Sequence, residues 1–139
     1  CVYEQYLGKE PGLTLQEIRP ADRSTRKDFS ISIDEPLFGV SRRFLEFALK
    51  KENIEVRRYF DPPLHRQRLY RRYYRPEADP LETTERLSRG VLSLPIHPYL
   101  SEEDAARIAR RVIAIRDSLR ERSAARRSGR AAPATRAAG

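Results

Sequence analysis

The sequence predicts an α+β fold, in which a small and mainly antiparallel sheet is covered by helices. Short apolar segments typical of strands are mixed along the chain with segments whose apolar residues recur at helical spacing. After an initial helical stretch their order is β, β, α, β, α, β, α, a mixed order typical of α+β domains. The 139 residues suffice for one domain with a modest core. We therefore expect a single core.

The first half of the chain contains the initial helical stretch, two predicted strands and one helix. Residues 2–7 have helical apolar spacing, and residues 13–18 predict a short strand. Residues 29–33 alternate apolar and polar side chains, which predicts a strand with one buried face. A helix should begin after Ser41, a good N-cap, and end near Lys51. Its predicted apolar face contains Phe44, Leu45, Ala48 and Leu49, opposite Arg42, Glu46 and Lys50.

The second half of the chain predicts a further strand, a short helix and a strand that leads to the last helix. Asn53 suits the left-handed residue that ends the preceding helix, and residues 54–60 predict a strand. After a long loop, residues 83–88 predict a short helix that Gly90 stops. Residues 91–94 predict a strand, because prolines follow it and cannot donate ladder hydrogen bonds.

The last helix has the clearest predicted boundary and is followed by a basic tail. Ser101 and Asp104 resemble a capping box with Asp in place of Glu. One buried face is predicted from four apolar residues spaced four, three and four apart: Ile108, Val112, Ile115 and Leu119. Residues 123–139 consist almost entirely of Ala, Arg, Ser, Gly, Thr and Pro, so we expect a disordered tail after a domain that spans residues 1–122.

Composition excludes some classes of protein. The formal net charge is +8, and four arginines after Arg122 account for half of it. Cys1 is the only cysteine, and His65 and His97 are the only histidines, so neither an internal disulfide nor a structural zinc site is expected. No apolar run approaches the ~20 residues that cross a bilayer, and we expect a soluble, cytoplasmic protein. Since the chain lacks methionine, we expect it to be part of a longer protein.

Two motifs carry a family resemblance. Residues 58–65 have the sequence RYFDPPLH, followed by Arg66 and Gln67, and residues 87–98 have the sequence LSRGVLSLPIHP. In this order, and with the sequence LSEED at the final helix, they resemble the C-terminal domain of the DegT/DnrJ/StrS family of sugar aminotransferases. The similarity extends over nearly all of the predicted ordered chain, from about Val2 to Leu119.

The resemblance implies a role for this chain within a two-domain enzyme of fold type I. Members of the family bind pyridoxal 5'-phosphate (PLP) on a lysine of a large domain, and a smaller C-terminal domain helps to close the active site. They are typically homodimers that transfer an amino group from an amino acid, commonly glutamate, to a keto group of a nucleotide-linked sugar for polysaccharide and antibiotic pathways. By resemblance this chain is the small domain, and the PLP-binding large domain is absent from it.

The resemblance also implies substrate contacts, because the segment before Pro-Leu-His reaches the sugar-nucleotide pocket in similar enzymes. Tyr59 is expected to offer a hydroxyl to a sugar oxygen, Phe60 a surface for the sugar ring, and Arg58 a charge for a diphosphate or carboxylate. His65 is carried over as a weaker candidate. No catalytic residue is expected in this chain, since its lysines, Lys9, Lys27, Lys50 and Lys51, lie near turns or end a surface helix.

Several alternatives remain open from the sequence. Tyr59 and Phe60 also suit core positions at a strand end, and His65 suits a structural residue bonded to backbone. The cations and tyrosines between Arg66 and Arg75 interleave as in single-strand nucleic-acid binders, so a small nucleic-acid-binding module is a rival hypothesis. The third hypothesis is a degenerate or truncated paralogue that serves as a dimer partner or regulator, or a relative that uses the cofactor for dehydration.

Overall fold

The computed structural model of the chain describes residues 1–129. Within them it forms three strands and five helices, which are α1 (Val2–Leu7), β1 (Leu13–Leu15), β2 (Phe29–Ile33), α2 (Glu35–Phe38), α3 (Arg42–Lys51), α4 (Glu82–Gly90), β3 (Val91–Leu94) and α5 (Glu102–Gly129), with a 3₁₀ turn at Leu64–Arg66. None of these helices is both long and apolar enough to span a membrane.

The three strands form one antiparallel sheet in the order β1, β2, β3. Leu13 lies opposite Ile33, and Phe29 lies opposite Leu94. Buried and partly buried side chains alternate along β2, as its period-2 sequence predicts. The predicted fold class, a small antiparallel sheet covered by helices, is therefore confirmed.

Helix α5 packs against α1 and α3 and completes the core. Its predicted buried face is confirmed, since Ile108, Val112 and Ile115 are buried and Leu119 packs partly buried against the core. The predicted cap is also confirmed, because the Ser101 Oγ accepts a hydrogen bond from the Asp104 amide at 3.0 Å. The largest fully buried side chains come from every layer of the fold: Leu7, Ile31, Phe38, Leu45, Leu49, Leu92 and Val112.

Helix α3 begins as predicted, and most of its predicted apolar face packs in or against the core. Leu45 and Leu49 are buried, whereas Phe44, predicted on the apolar face, is 41% exposed. Glu46, predicted on the polar face, is only 8% exposed. The carboxylate is tolerated there because the Lys50 Nζ lies 2.7 Å away, which compensates the loss of hydration.

Loss of the α3 cap gives a first testable prediction. The Ser41 Oγ accepts a hydrogen bond from the Phe44 amide at 3.2 Å, so Ser41→Ala leaves an orphan donor in the first turn. We expect the free energy of unfolding to fall by about 1 kcal/mol, measured by urea denaturation. Ser123→Ala, at an exposed position within α5, is the matched control and should cost nothing. Equal losses for the two variants would argue against the cap.

The predicted strand at residues 54–60 is wrong. Only Arg57 pairs with the sheet, donating its amide to the Ser93 carbonyl at 3.0 Å and accepting from the Ser93 amide at 2.8 Å. The chain then leaves the sheet edge toward two prolines, Pro62 and Pro63, which cannot donate ladder hydrogen bonds, and Asp61 is bound by Arg42 of α3 at 2.7 Å. The left-handed conformation predicted for Asn53 is confirmed, with φ at 59°.

Other boundaries also differ from the predictions. Strand β1 ends at Leu15, short of residue 18, and Gly90 lies inside α4 rather than beyond it. The short helix α2 was not predicted; Asp34 caps it by accepting the Leu37 amide at 3.2 Å. Helix α5 continues to Gly129, well into the stretch that the sequence predicts to be disordered from Ser123. Residues 130–139 of the predicted tail lie outside the described residues.

Candidate functional site

Residues 57–67 contain all four predicted substrate contacts, and we call them the site loop. The loop starts at the sheet edge, where Arg57 pairs with Ser93 of β3. It then lies between α3 and α4, which contact it through separate sets of charged side chains. These two sets contain two of the four predicted residues, Arg58 and His65.

On the α3 side, four side chains form a set that we call the charge frame: Arg42, Glu46, Arg58 and Asp61. The Arg42 Nη2 lies 2.7 Å from the Asp61 Oδ2, and the Arg42 Nε donates to the Arg89 carbonyl at 2.8 Å. Arg58 closes the frame, with its Nη1 3.0 Å from Asp61 and its Nε 3.2 Å from Glu46. The hydrogen bond from Arg42 is the main cause that lowers the pKa of Asp61 below its ordinary value.

On the α4 side, Glu85 binds two residues of the loop through one carboxylate oxygen. The His65 Nε2 lies 2.6 Å from the Glu85 Oε1, and the Arg66 Nε lies 2.5 Å from the same atom. The His65 ring also packs on Tyr74, with ring centroids 4.6 Å apart. The hydrogen bond from His65 is the main cause that lowers the pKa of Glu85. His65 thus has a structural partner, but this is a carboxylate rather than the backbone group that the sequence suggested.

Tyr59 and Phe60 are the two predicted contacts whose rings lie at the surface of the domain. Tyr59 is 38% exposed and Phe60 is 69% exposed, so the alternative that they are core residues is wrong. Their rings meet edge to face, with centroids 5.5 Å apart. The Tyr59 hydroxyl accepts a hydrogen bond from the Arg57 Nη1 at 3.3 Å and keeps its own proton for a further acceptor. Contact with a sugar nucleotide remains a prediction for all four residues of the site.

The lysines do not fit a PLP site. Lys9, Lys27, Lys50 and Lys51 are all exposed, and the Lys50 Nζ is paired with Glu46. A Schiff-base lysine must react as a neutral amine, which requires desolvation or a neighbouring cation. No step of PLP chemistry can therefore be assigned to the lysines of this chain.

The basic and aromatic stretch between Arg66 and Arg75 is partly occupied by internal contacts. Arg66 binds Glu85, and the Tyr74 hydroxyl donates to the Pro80 carbonyl at 2.9 Å. Tyr73 is 65% exposed, with the guanidinium of Arg72 lying 4.8 Å from its ring centroid. Fewer of these cations and tyrosines are therefore available to bind a nucleic acid than the sequence alone suggests.

Comparison with known proteins identifies the family. A model of the DegT/DnrJ/EryC1/StrS aminotransferase family matches residues 1–113. The chain belongs to this family. The resemblance inferred from the motifs at residues 58–65 and 87–98 is thereby confirmed.

Individual DegT/DnrJ/EryC1/StrS proteins match with similar coverage. The dTDP-4-amino-4,6-dideoxy-D-glucose transaminase of Escherichia coli is 33% identical over 112 residues, which are 78% of this chain and 29% of the transaminase. The structure of DesI in the presence of its TDP-sugar product has a TM-score of 0.77 and 29% identity, covering 91% of this chain and 31% of DesI. S. venezuelae DesV in complex with a ketimine intermediate has a TM-score of 0.71 and 26% identity, covering 82% of this chain and 29% of DesV. The chain thus spans about 30% of the length of these relatives.

Sequence reasoning missed three residues that hold the site loop: Arg42, Glu46 and Glu85. Glu46 carried a usable signal, because it directly follows Leu45 and precedes Leu49 by three, and so flanks the buried stripe of α3. A carboxylate at such a position requires a cationic partner. Arg42 and Glu85 carried no comparable signal, since their partners lie 19 or more residues away along the chain.

Acidification should release the site loop. The pKa values of Asp61 and Glu85 are lowered from 3.8 and 4.5 by their partners. A carboxyl group of this kind stabilises the fold above its ordinary pKa, and this contribution is lost as the pH falls through the folded value. We expect the loop amides to lose hydrogen-exchange protection below about pH 4, before those of α5. Unchanged protection of residues 57–67 down to about pH 3 would contradict this prediction.

Proposed function

We propose that this chain is the small C-terminal domain of a PLP-dependent aminotransferase that transfers an amino group from an amino acid, with glutamate as the expected donor, to a keto group of a nucleotide-linked sugar. Membership of the aminotransferase family carries the proposal. Relatives named for dTDP-linked and TDP-linked sugars support this class of substrate. The chain shapes the substrate pocket and is not catalytic alone.

The cofactor belongs, in this proposal, to a large domain that precedes the chain. When bound there, PLP carries the amino group between donor and sugar. The chain's own lysines are exposed and do not fit that role. We further propose that the complete protein is a cytoplasmic homodimer that supplies amino sugars for polysaccharide biosynthesis, with the small domain at or near the dimer interface.

The site loop provides the pocket wall. Tyr59 donates its hydroxyl proton to a sugar oxygen, since this proton is not used in a contact with the described residues. Phe60, which is 69% exposed, covers an apolar face of the sugar ring and excludes water from it. Arg58 and His65 complete the predicted set. Both have internal partners, so their parts in substrate binding are secondary in this proposal.

Amino transfer by the longest protein that contains this chain tests the proposal. The protein, loaded with PLP, is incubated with ¹⁵N-glutamate and dTDP-4-keto-6-deoxyglucose, the keto form of the amino sugar named for the Escherichia coli relative. We expect ¹⁵N in the sugar product, detected by mass spectrometry. A protein that binds PLP but transfers no nitrogen to any nucleotide-linked keto sugar would contradict the proposal.

A further inference from the structure

The charge frame joins the two residues that flank Tyr59 and Phe60. Arg58 immediately precedes the aromatic pair and Asp61 immediately follows it. Their side chains meet at 3.0 Å, so the ion pair closes a short loop of backbone around the two aromatic residues. Arg42 then fixes this closed loop to α3 through Asp61, at 2.7 Å.

Each carboxylate of the frame is paired with cations of the same domain. Arg42 and Arg58 face the carboxylates of Glu46 and Asp61, and Lys50 adds a third cation at Glu46. Arg58 uses both its Nε and its Nη1 in this pairing. Binding a diphosphate with Arg58 would require these contacts to break or the anion to approach Glu46 and Asp61, and both are unfavourable.

Burial makes the frame more than a pair of surface ion pairs. The side chain of Arg42 is 11% exposed and that of Glu46 is 10% exposed, whereas that of Arg58 is 44% exposed. Arg42 also binds the last turn of α4 through the Arg89 carbonyl. The frame therefore connects both helices to the loop at the position where the aromatic side chains project.

We propose that Arg58 is a positioning residue rather than a ligand of the diphosphate: with Asp61 and Arg42 it fixes the backbone that presents Tyr59 and Phe60 to the sugar. The inference rests on the proposed function, and it replaces the role that the sequence suggested for Arg58. Selectivity between sugars at this wall then comes from contacts with the neutral aromatic side chains of Tyr59 and Phe60. The nucleotide diphosphate is bound elsewhere in the enzyme.

Binding of a ligand that lacks the sugar separates the two roles. Thymidine and uridine diphosphate are titrated into the complete protein and its Arg58→Gln variant. For the nucleotide that binds more tightly, we expect the dissociation constants of the two proteins to agree within about twofold, at low and at physiological salt. The KM of the variant for the corresponding keto sugar should rise about tenfold. A tenfold loss of diphosphate affinity that shrinks as salt is added would overturn the proposal.

Two further variants control the experiment. Arg43, next to Arg42, is exposed and forms no ion pair with the described residues. Arg43→Gln should therefore change neither the dissociation constant of the diphosphate nor the KM of the keto sugar. Arg58→Lys keeps the charge but cannot serve two carboxylates through a planar fork, so it should not restore the KM. Full recovery by lysine would contradict the bridging role.

A double-mutant cycle in the 139-residue chain tests the frame independently of any substrate. The free energy of unfolding is measured by urea denaturation in Arg58→Gln, Asp61→Asn and the double variant. We expect strongly non-additive losses, because either change breaks the same contact. Additive losses would overturn the frame. Absence of any nucleotide binding by the complete protein would instead reject the proposed function, and the cycle would then decide the role of Arg58.

Discussion

Replacement of Gly12 by alanine is expected to lower the free energy of unfolding by about 2 to 5 kcal/mol. Gly12 has a φ of +83°, a conformation that disfavours any L side chain. A Cβ there would also lie 2.3 Å from the amide nitrogen of Phe38, which is a backbone atom and cannot rotate away. Phe38 is fully buried, so relief of the overlap would displace α2 from the core.

Gly39→Ala is the matched control for this prediction. Gly39 has the same φ of +83°, but a Cβ there would meet only the flexible side chain of Arg120, at 3.4 Å. The two substitutions share the backbone strain and the change in unfolded-chain entropy, so their difference isolates the overlap with Phe38. We expect Gly39→Ala to cost about 1 to 2 kcal/mol in urea denaturation. Equal costs would show that the Gly12 turn adapts without loss.

Replacement of Phe60 by alanine is expected to raise the KM for the sugar nucleotide about tenfold in the complete enzyme. The ring is 69% exposed, so its removal should change the free energy of unfolding by less than about 0.5 kcal/mol. A loss of substrate affinity without a loss of stability is the signature of a binding surface. Steady-state kinetics with the keto sugar varied and the amino donor saturating measure the effect.

Phe47→Ala controls for the removal of an exposed aromatic ring. Phe47 is 59% exposed on α3, outside the site loop, and its replacement should leave the KM unchanged. An equal rise in KM for both variants would point to a general disturbance of the domain. An unchanged KM in Phe60→Ala would remove Phe60 from the pocket wall.

The sequence predicted best those features that depend on neighbours along the chain. The buried face of α5, the caps at Ser41 and Ser101 and the alternation in β2 follow from spacings of two to four residues, and all are confirmed. The same local signal failed at residues 54–60. Beyond Arg57 the chain turns from the sheet toward α3, where Asp61 pairs with Arg42, and the prolines that follow cannot donate ladder hydrogen bonds.

The sequence placed the predicted contacts in one segment, but it did not show which of them have partners within the domain. The four predicted residues are contiguous in one loop, yet the structure divides them into an exposed aromatic pair and two side chains with internal partners. That division depends on Glu46 and Glu85, whose pairing with Arg58 and His65 arises only when α3 and α4 flank the loop. Such long-range contacts leave no periodic signal.

Hydrogen exchange of the complete protein tests the central claim most directly, namely that the site loop is a wall of a sugar-nucleotide pocket. Exchange is followed by mass spectrometry with and without saturating dTDP-4-keto-6-deoxyglucose, in the absence of amino donor. We predict slower exchange in peptides that cover residues 57–67, and unchanged exchange in peptides that cover the part of α3 around Phe47. Saturated binding with no change at residues 57–67 would contradict the account.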